Sequence, residues 1–179
     1  MVSRSTLAWG FAGCIAFLLP VAIHGQAAAG TMTATPVAAP SASLTLTVNG
    51  NATKLSVTDL QAMPQKTVKV HNAHNNMDET YAGVALGDLL AKAGFVADKT
   101  TQKKMLHSFI QAEGTDKYWV LYSAIEAEPS EHDGDVIVAT AMDGKPLGAD
   151  GNFKLISTAD KKPQRWVRNL TAITLKSAE

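Results

Sequence analysis

The chain has 179 residues, enough for one domain with a sizeable core and too few for two of ordinary size. It is 46% hydrophobic and 18% charged with no formal net charge, which excludes bulk disorder and leaves no electrostatic footprint of a nucleic-acid or membrane-surface binder. Its single cysteine, Cys14, lies in the N-terminal segment, so the remainder has no disulfide framework, thiolate nucleophile or thiolate metal ligand.

Arg4, the apolar run 11–23 and the small residues of "HGQAAAG" read as a signal peptide over residues 1–29. That run is too short for a permanent membrane helix, which needs roughly 20 residues. "FAGC" loosely matches the pattern before a lipid anchor, but the strongest apolar segment follows Cys14 rather than precedes it. Residues 30–42, rich in Ala, Thr, Pro and Ser without periodicity, read as a flexible linker, and residues 43–177 as the folded domain. Cleavage would remove Arg4 and no acid, leaving one net negative charge on a protein expected to be periplasmic or secreted.

Leu44, Leu46 and Val48 alternate with Thr45 and Thr47, predicting a strand that "NGN" turns back into a hairpin. "SVTDLQAMP" predicts one or two helical turns with Ser56 as N-cap, Asp59 in the capping-box place and Pro64 as the stop. The strand "KTVKVHN" follows. "ETYAGVALGDLLAKAGF" predicts a short strand, a turn at Gly83 and a helix carrying Leu86, Leu89, Leu90 and Ala93, closed by Gly94. "MLHSFIQAEGTDKYWVLYS" predicts a second hairpin and "SAIEAEP" a further helical turn. "DVIVATAMDGKPL", "NFKLIST" and "LTAITLK" predict the remaining strands, the first leaving through an Asp-Gly turn. Strands outnumber helices, and the helices are too short to be crossovers of a parallel sheet. The expected fold class is α+β, with β-rich mixed sheets and short helices.

The order of a "VNG" strand, "DLQAMP", "YAGVALGDLL.KAG", "YWVLYS", "VIVATAMDGKPL" and "RWVRNLTAITL" resembles the molybdopterin-binding domain of sulfite-oxidase-type oxidoreductases, in particular its small exported single-domain members. The likeness covers nearly all of residues 44–176. It implies the sulfite-oxidase-like fold and, in the family's enzymes, a cysteine that binds molybdenum through its thiolate after the strand preceding the "Y.G..L" segment. The corresponding stretch here, "VKVHNAHNNMDETYAG", has no cysteine. A soft thiolate helps set such a metal's electronics. The resemblance therefore implies a domain without that redox chemistry, with no resident cofactor expected and molybdopterin the one the family would supply. "DGKPL", which contains Lys145, and "KKPQRWVR" match the family's pattern, whose late basic region helps hold the anionic pterin.

Charge is segregated along the chain: Glu113 to Asp135 holds seven acids against Lys117, whereas Lys154 to Arg168 holds five bases against Asp160. If "QRWVRN" is a helical turn, Arg165 and Arg168 share a face and can grip a phosphate or carboxylate, with Lys161 and Lys162 adding field. The competing reading is that these bases solvate a loop or pair with the acidic segment from Glu126 to Asp135. Trp166 between the arginines belongs to a docked core edge. His71 and His74, beside Asn72, Asn75, Asn76, Asp78 and Glu79, form the densest polar cluster, and would share a zinc or copper ion only if the backbone turns there. "EAEPSEHDGD" lacks the ligand spacing of an EF-hand and reads as a solvated acidic loop.

The expected ligand-binding residues are Lys161, Lys162, Arg165, Arg168, Asn72 and Lys145, serving a small anionic ligand or a periplasmic protein partner, with His71 and His74 as the metal candidates. Two alternatives stay open: a molybdopterin-dependent oxidoreductase with a non-cysteine ligand, and a zinc- or copper-binding accessory protein.

Overall fold

A computed structural model of the chain describes residues 39–96 and 98–177. The expected signal peptide and most of the linker lie outside the described residues. Among the described residues, Ser41 is the first with a side-chain tie to the domain: its hydroxyl donates to the Leu170 carbonyl at 2.8 Å and its own carbonyl accepts from Asn152 Nδ2 at 2.9 Å.

Among the described residues, two five-stranded sheets account for the architecture. The first has the order β2-β1-β10-β5-β6, built from β1 (Leu44–Val48), β2 (Asn51–Leu55), β5 (Ser108–Gly114), β6 (Trp119–Ser123) and β10 (Leu170–Ser177). β1 and β10 pair in parallel, Leu46 opposite Ile173, so the two ends of the domain close one sheet. The second runs β3 (Lys66–Asn72), β4 (Met77–Ala85), β7 (Val136–Met142), β8 (Lys145–Pro146), with β9 (Lys154–Ser157) also on the far edge of β7. The mixed sheets agree with the α+β expectation.

Local chemistry explains most elements. Leu44, Leu46 and Val48 are all buried, as the alternation predicts, each worth about 1.5–3 kcal/mol of apolar burial. Ser56 and Asp59 form a complete capping box on α1 (Val57–Gln61). α2 (Leu86–Lys92) buries Leu86, Leu89 and Leu90, and Gly94 follows it with φ +87°, the left-handed conformation that ends helices. α3 (Gln102–Leu106) is a short helix that the polar run "TTQKKML" did not announce. Among the described residues no helix is long and apolar enough to cross a membrane.

The expected turn at Gly83 is corrected: β4 runs straight through it. Ala82 faces Ala141 while Gly83 faces Ala139, so Thr140 is the extra residue of a β-bulge. A side chain at Gly83 would bring its Cβ to 2.1 Å from the Val138 carbonyl oxygen, so the glycine permits close approach of two strands rather than a reversal. The bulge also changes the parity of β7, bringing Met142 onto the face of Ile137 and Ala139.

The larger core gathers the inward faces of both sheets with α1 to α3. A second, smaller core lies on one face of the β3-β4-β7-β9 sheet and contains Val68, Val70, Tyr81, Ile137, Ala139, Leu147, Ile156 and Trp166.

Candidate functional site

The period-2 register of the second sheet places Asn72 on the face of Val68 and Val70, Glu79 on the face of Tyr81, and Lys154 on the face of Ile156. Each is thus a polar residue at an inward position of the second core. Lys154 is only 5% exposed and Glu79 only 7%. Their burial is compensated by a continuous hydrogen-bonded chain, as burying charge requires. Lys154 Nζ donates to Tyr81 Oη and to Asp150 Oδ2, both at 2.6 Å. Tyr81 Oη donates to Glu79 Oε2 at 2.7 Å. Glu79 also accepts from Asn72 Nδ2, 3.1 Å from each carboxylate oxygen, and from Asn75 Nδ2 at 2.7 Å. The ammonium lies 4.7 Å from the Tyr81 ring centre and 5.6 Å from that of Trp166, within cation–π range of both. The two rings meet edge to face at 6.1 Å, and Trp166 Nε1 donates to the Ser157 carbonyl at 3.0 Å.

Electrostatically the cluster favours ionised Glu79. Burial pushes its carboxyl up, but the hydrogen bonds from Tyr81, Asn75 and Asn72 outweigh that and hold it below the usual range. The Tyr81 hydroxyl is pushed well above its ordinary value by burial and by its bond to the Glu79 carboxylate. It remains a proton donor at any physiological pH.

The two histidines lie on different elements. His71, on the exposed face of β3, has Nδ1 2.9 Å from Asp78 Oδ1, and Lys69 reaches the other oxygen of the same carboxylate at 3.0 Å. The Asp78 carboxyl is accordingly lowered, first by the His71 hydrogen bond and then by Lys69. His74 lies in the exposed turn between β3 and β4, and its backbone N–H donates to Asn72 Oδ1 at 3.0 Å. Among the described residues no group of three or more His, Cys, Asp or Glu side chains is placed to hold a metal ion.

The basic segment is not a helical turn, and that expectation is corrected. Only Pro163–Arg165 form a 3₁₀ turn, Trp166 is extended, and Val167 bridges to Leu155. Proline at the first position sets the turn, and burial of Trp166 and Val167 then pulls the chain out straight. The guanidinium of Arg165 is engaged inside the protein: Nη2 lies 2.6 Å from Asp160 Oδ1 and 3.0 Å from Glu126 Oε2, Nη1 donates to Glu126 Oε1 at 3.3 Å, and Cζ sits 4.3 Å above the Tyr122 ring. These bonds, first those to Asp160, raise its already high pKa. The reading in which the bases pair with the acidic segment therefore describes Arg165. Lys161, Lys162 and Arg168 are exposed, as is Lys145 on β8. Cavities among the described residues lie elsewhere, such as one of about 320 Å³ bordered by Asp98, Gln102, Glu128 and Glu131 and one of about 390 Å³ bordered by Asn49, Lys104, Phe109 and Lys176.

A family model described as oxidoreductase molybdopterin binding domain matches residues 32–177. The chain belongs to this family. Among solved structures, the sulfane dehydrogenase SoxCD from Paracoccus pantotrophus aligns with a TM-score of 0.57 at 17% identity, over 76% of this chain and 39% of that one. The likeness is one of fold, and this chain spans about two fifths of its neighbour's length. No curated protein matches the chain in sequence.

Molybdenum held by a thiolate does not fit the residues of this family member. The end of β3 and the turn after it, where the resemblance locates the ligating cysteine, carry Asn72, His74 and Asn75, and Asn72 and Asn75 are committed to Glu79. Among the described residues there is no cysteine. Sequence reasoning named Asn72 as a ligand-binding residue and Glu79 only as a member of the polar cluster, and it missed Tyr81, Asp150 and the burial of Lys154. The available signal was strand parity, which puts Glu79 and Lys154 at inward positions.

Proposed function

We propose that this family member is an exported, non-redox binding or accessory module, which takes a small anionic ligand or an acidic partner through the exposed bases Lys161, Lys162 and Arg168. The observation that carries this reading is the end of β3 and the turn after it: they offer no thiolate, and the Asn72 and Asn75 amides are spent on an internal carboxylate. Oxygen-atom transfer at molybdenum depends on the metal's ligand set, so a scaffold without that ligand retains the fold and not the redox step. Arg165 is removed from the ligand-binding set because Asp160 and Glu126 already satisfy it. Anions are then recognised by the exposed cations on the outside of the same segment, at an affinity that falls with ionic strength.

The test is elemental analysis of protein exported from a host that makes molybdopterin, together with binding of the pterin cofactor to the wild type and to a Lys161→Ala/Lys162→Ala/Arg168→Ala variant. The folded protein is expected to be free of molybdenum, zinc and copper, and the triple variant to bind anions more weakly. Near-stoichiometric molybdenum would overturn the non-redox reading. Unchanged anion binding in the variant would remove the three bases from it.

A further inference from the structure

The donors around Glu79 are held in place by contacts that do not involve Glu79. Asn72 Oδ1 accepts the His74 N–H at 3.0 Å, which turns the Asn72 amide so that its NH₂ points at the carboxylate. Asn75 Oδ1 accepts the Met77 N–H at 3.1 Å, which aims the Asn75 NH₂ in the same way. The Tyr81 hydroxyl accepts from the Lys154 ammonium at 2.6 Å, leaving its own proton to be directed at Glu79 Oε2. Lys154 in turn is fixed by Asp150 and by the Tyr81 and Trp166 rings. Three donors thus converge from a turn and two strands on both oxygens of one planar anion, with a buried cation behind them. Asn72 and Tyr81 are buried and Asn75 lies at the exposed mouth, and such preorganised donors are what recognition of an oxyanion requires.

We propose that this end of the second core is a receptor for a small carboxylate, which the chain keeps closed by occupying it with the side chain of Glu79. The class of ligand follows from the atoms the chain supplies. Truncating Glu79 to alanine removes Cγ, Cδ and both oxygens, which have the shape of acetate. Formate fits with a carbon to spare, propionate is one carbon too long, and chloride cannot satisfy donors placed for two oxygens. The site is distinct from the exposed bases on the 161–168 segment, so it stands whether or not those bases bind an anion.

The experiment compares melting of the full-length wild type and Glu79→Ala in sodium acetate, formate, propionate and chloride at matched ionic strength and pH 7. Glu79→Ala is expected to melt lower than the wild type and to regain about 4 °C in 0.1 M acetate at a Kd of about 10 mM, less in propionate and least in chloride. Titration calorimetry with acetate should show one site in the variant and none in the wild type. A folded Glu79→Ala protein that responds alike to acetate and chloride would overturn the proposal, as would an equal acetate response in the wild type. Should the alanine form not fold, Glu79→Ser leaves a hydroxyl among the donors and the same space for the ligand, and the same outcomes decide.

Discussion

Replacing Arg165 and Arg168 in turn by alanine separates two residues that three positions of sequence made equivalent. Arg165 lies with its Nε 3.2 Å from each oxygen of Asp160 and its Nη2 3.0 Å from Glu126, and its side chain is 35% exposed against 16% for Asp160 and 17% for Glu126. Removing one partner of a fully buried pair costs about 3–5 kcal/mol because the other charge is left desolvated. Solvent over about a third of the Arg165 side chain screens part of that cost, which brings the expected loss to about 2–3 kcal/mol. Some of it comes from stacking on Tyr122, whose hydroxyl also donates to the Arg165 carbonyl at 2.7 Å. For a domain of this size the Tm falls by roughly 6–9 °C. Arg168, exposed and without a side-chain partner among the described residues, is expected to change stability by no more than about 0.5 kcal/mol. Urea unfolding of both variants, with Glu126→Gln closing a double-mutant cycle, reads both numbers. Equal losses at the two arginines, or a loss below about 0.5 kcal/mol at Arg165, would refute the assignment of Arg165 to an internal clamp.

Gly83→Ala sets a Cβ 2.1 Å from the Val138 carbonyl oxygen and 2.5 Å from the Ala139 Cα, so β4 and β7 must separate, with a loss of about 3 kcal/mol or more in thermal unfolding. Gly50→Ala, with nothing within 4 Å and only a φ of +80° to strain it, should cost about 1 kcal/mol; a similar cost at both glycines would contradict the close approach. Glu79 has a folded-state pKa below its ordinary value of 4.5, so its carboxylate stabilises the native state above about pH 4.5, and that contribution disappears as pH falls through the folded value. Glu79→Gln is expected to be less stable at pH 7 and to have a flatter acid limb in urea midpoints between pH 7 and 3. An acid limb as steep as the wild type's would place the loss on other carboxylates such as Asp98, whose pKa is lowered to about 2, first by its hydrogen bond with Thr100.

Where local chemistry was sufficient, the elements could be read in advance. Ser56 and Asp59 needed only each other to cap α1, and Leu44, Leu46 and Val48 needed only alternation to mark β1. α3 was not visible because its polar run has no apolar period; Met105 is the one buried residue that ties it to the core. Gly83 was misread because a glycine that breaks a strand and a glycine that lets two strands touch look alike in one chain. The segment from Lys161 to Arg168 was harder still. Its bases have the same composition whether they face water or carboxylates, and the acids that claim Arg165 are Asp160, nearby, and Glu126, 39 residues away.

The sequence by itself determined that this is a β-rich α+β domain, that its strands and caps fall where alternation and side-chain chemistry put them, and that no thiolate stands in the turn after β3. Those conclusions rest on interactions between residues close in the chain, or on residue identity alone. Only the tertiary structure decided that Lys154 is a core residue, that Arg165 is spent internally, and that Glu79 fills a cradle of donors from the turn after β3 and two strands. The physical reason is that charge and hydrogen-bond capacity have no period: which partner satisfies them depends on which strands are brought side by side.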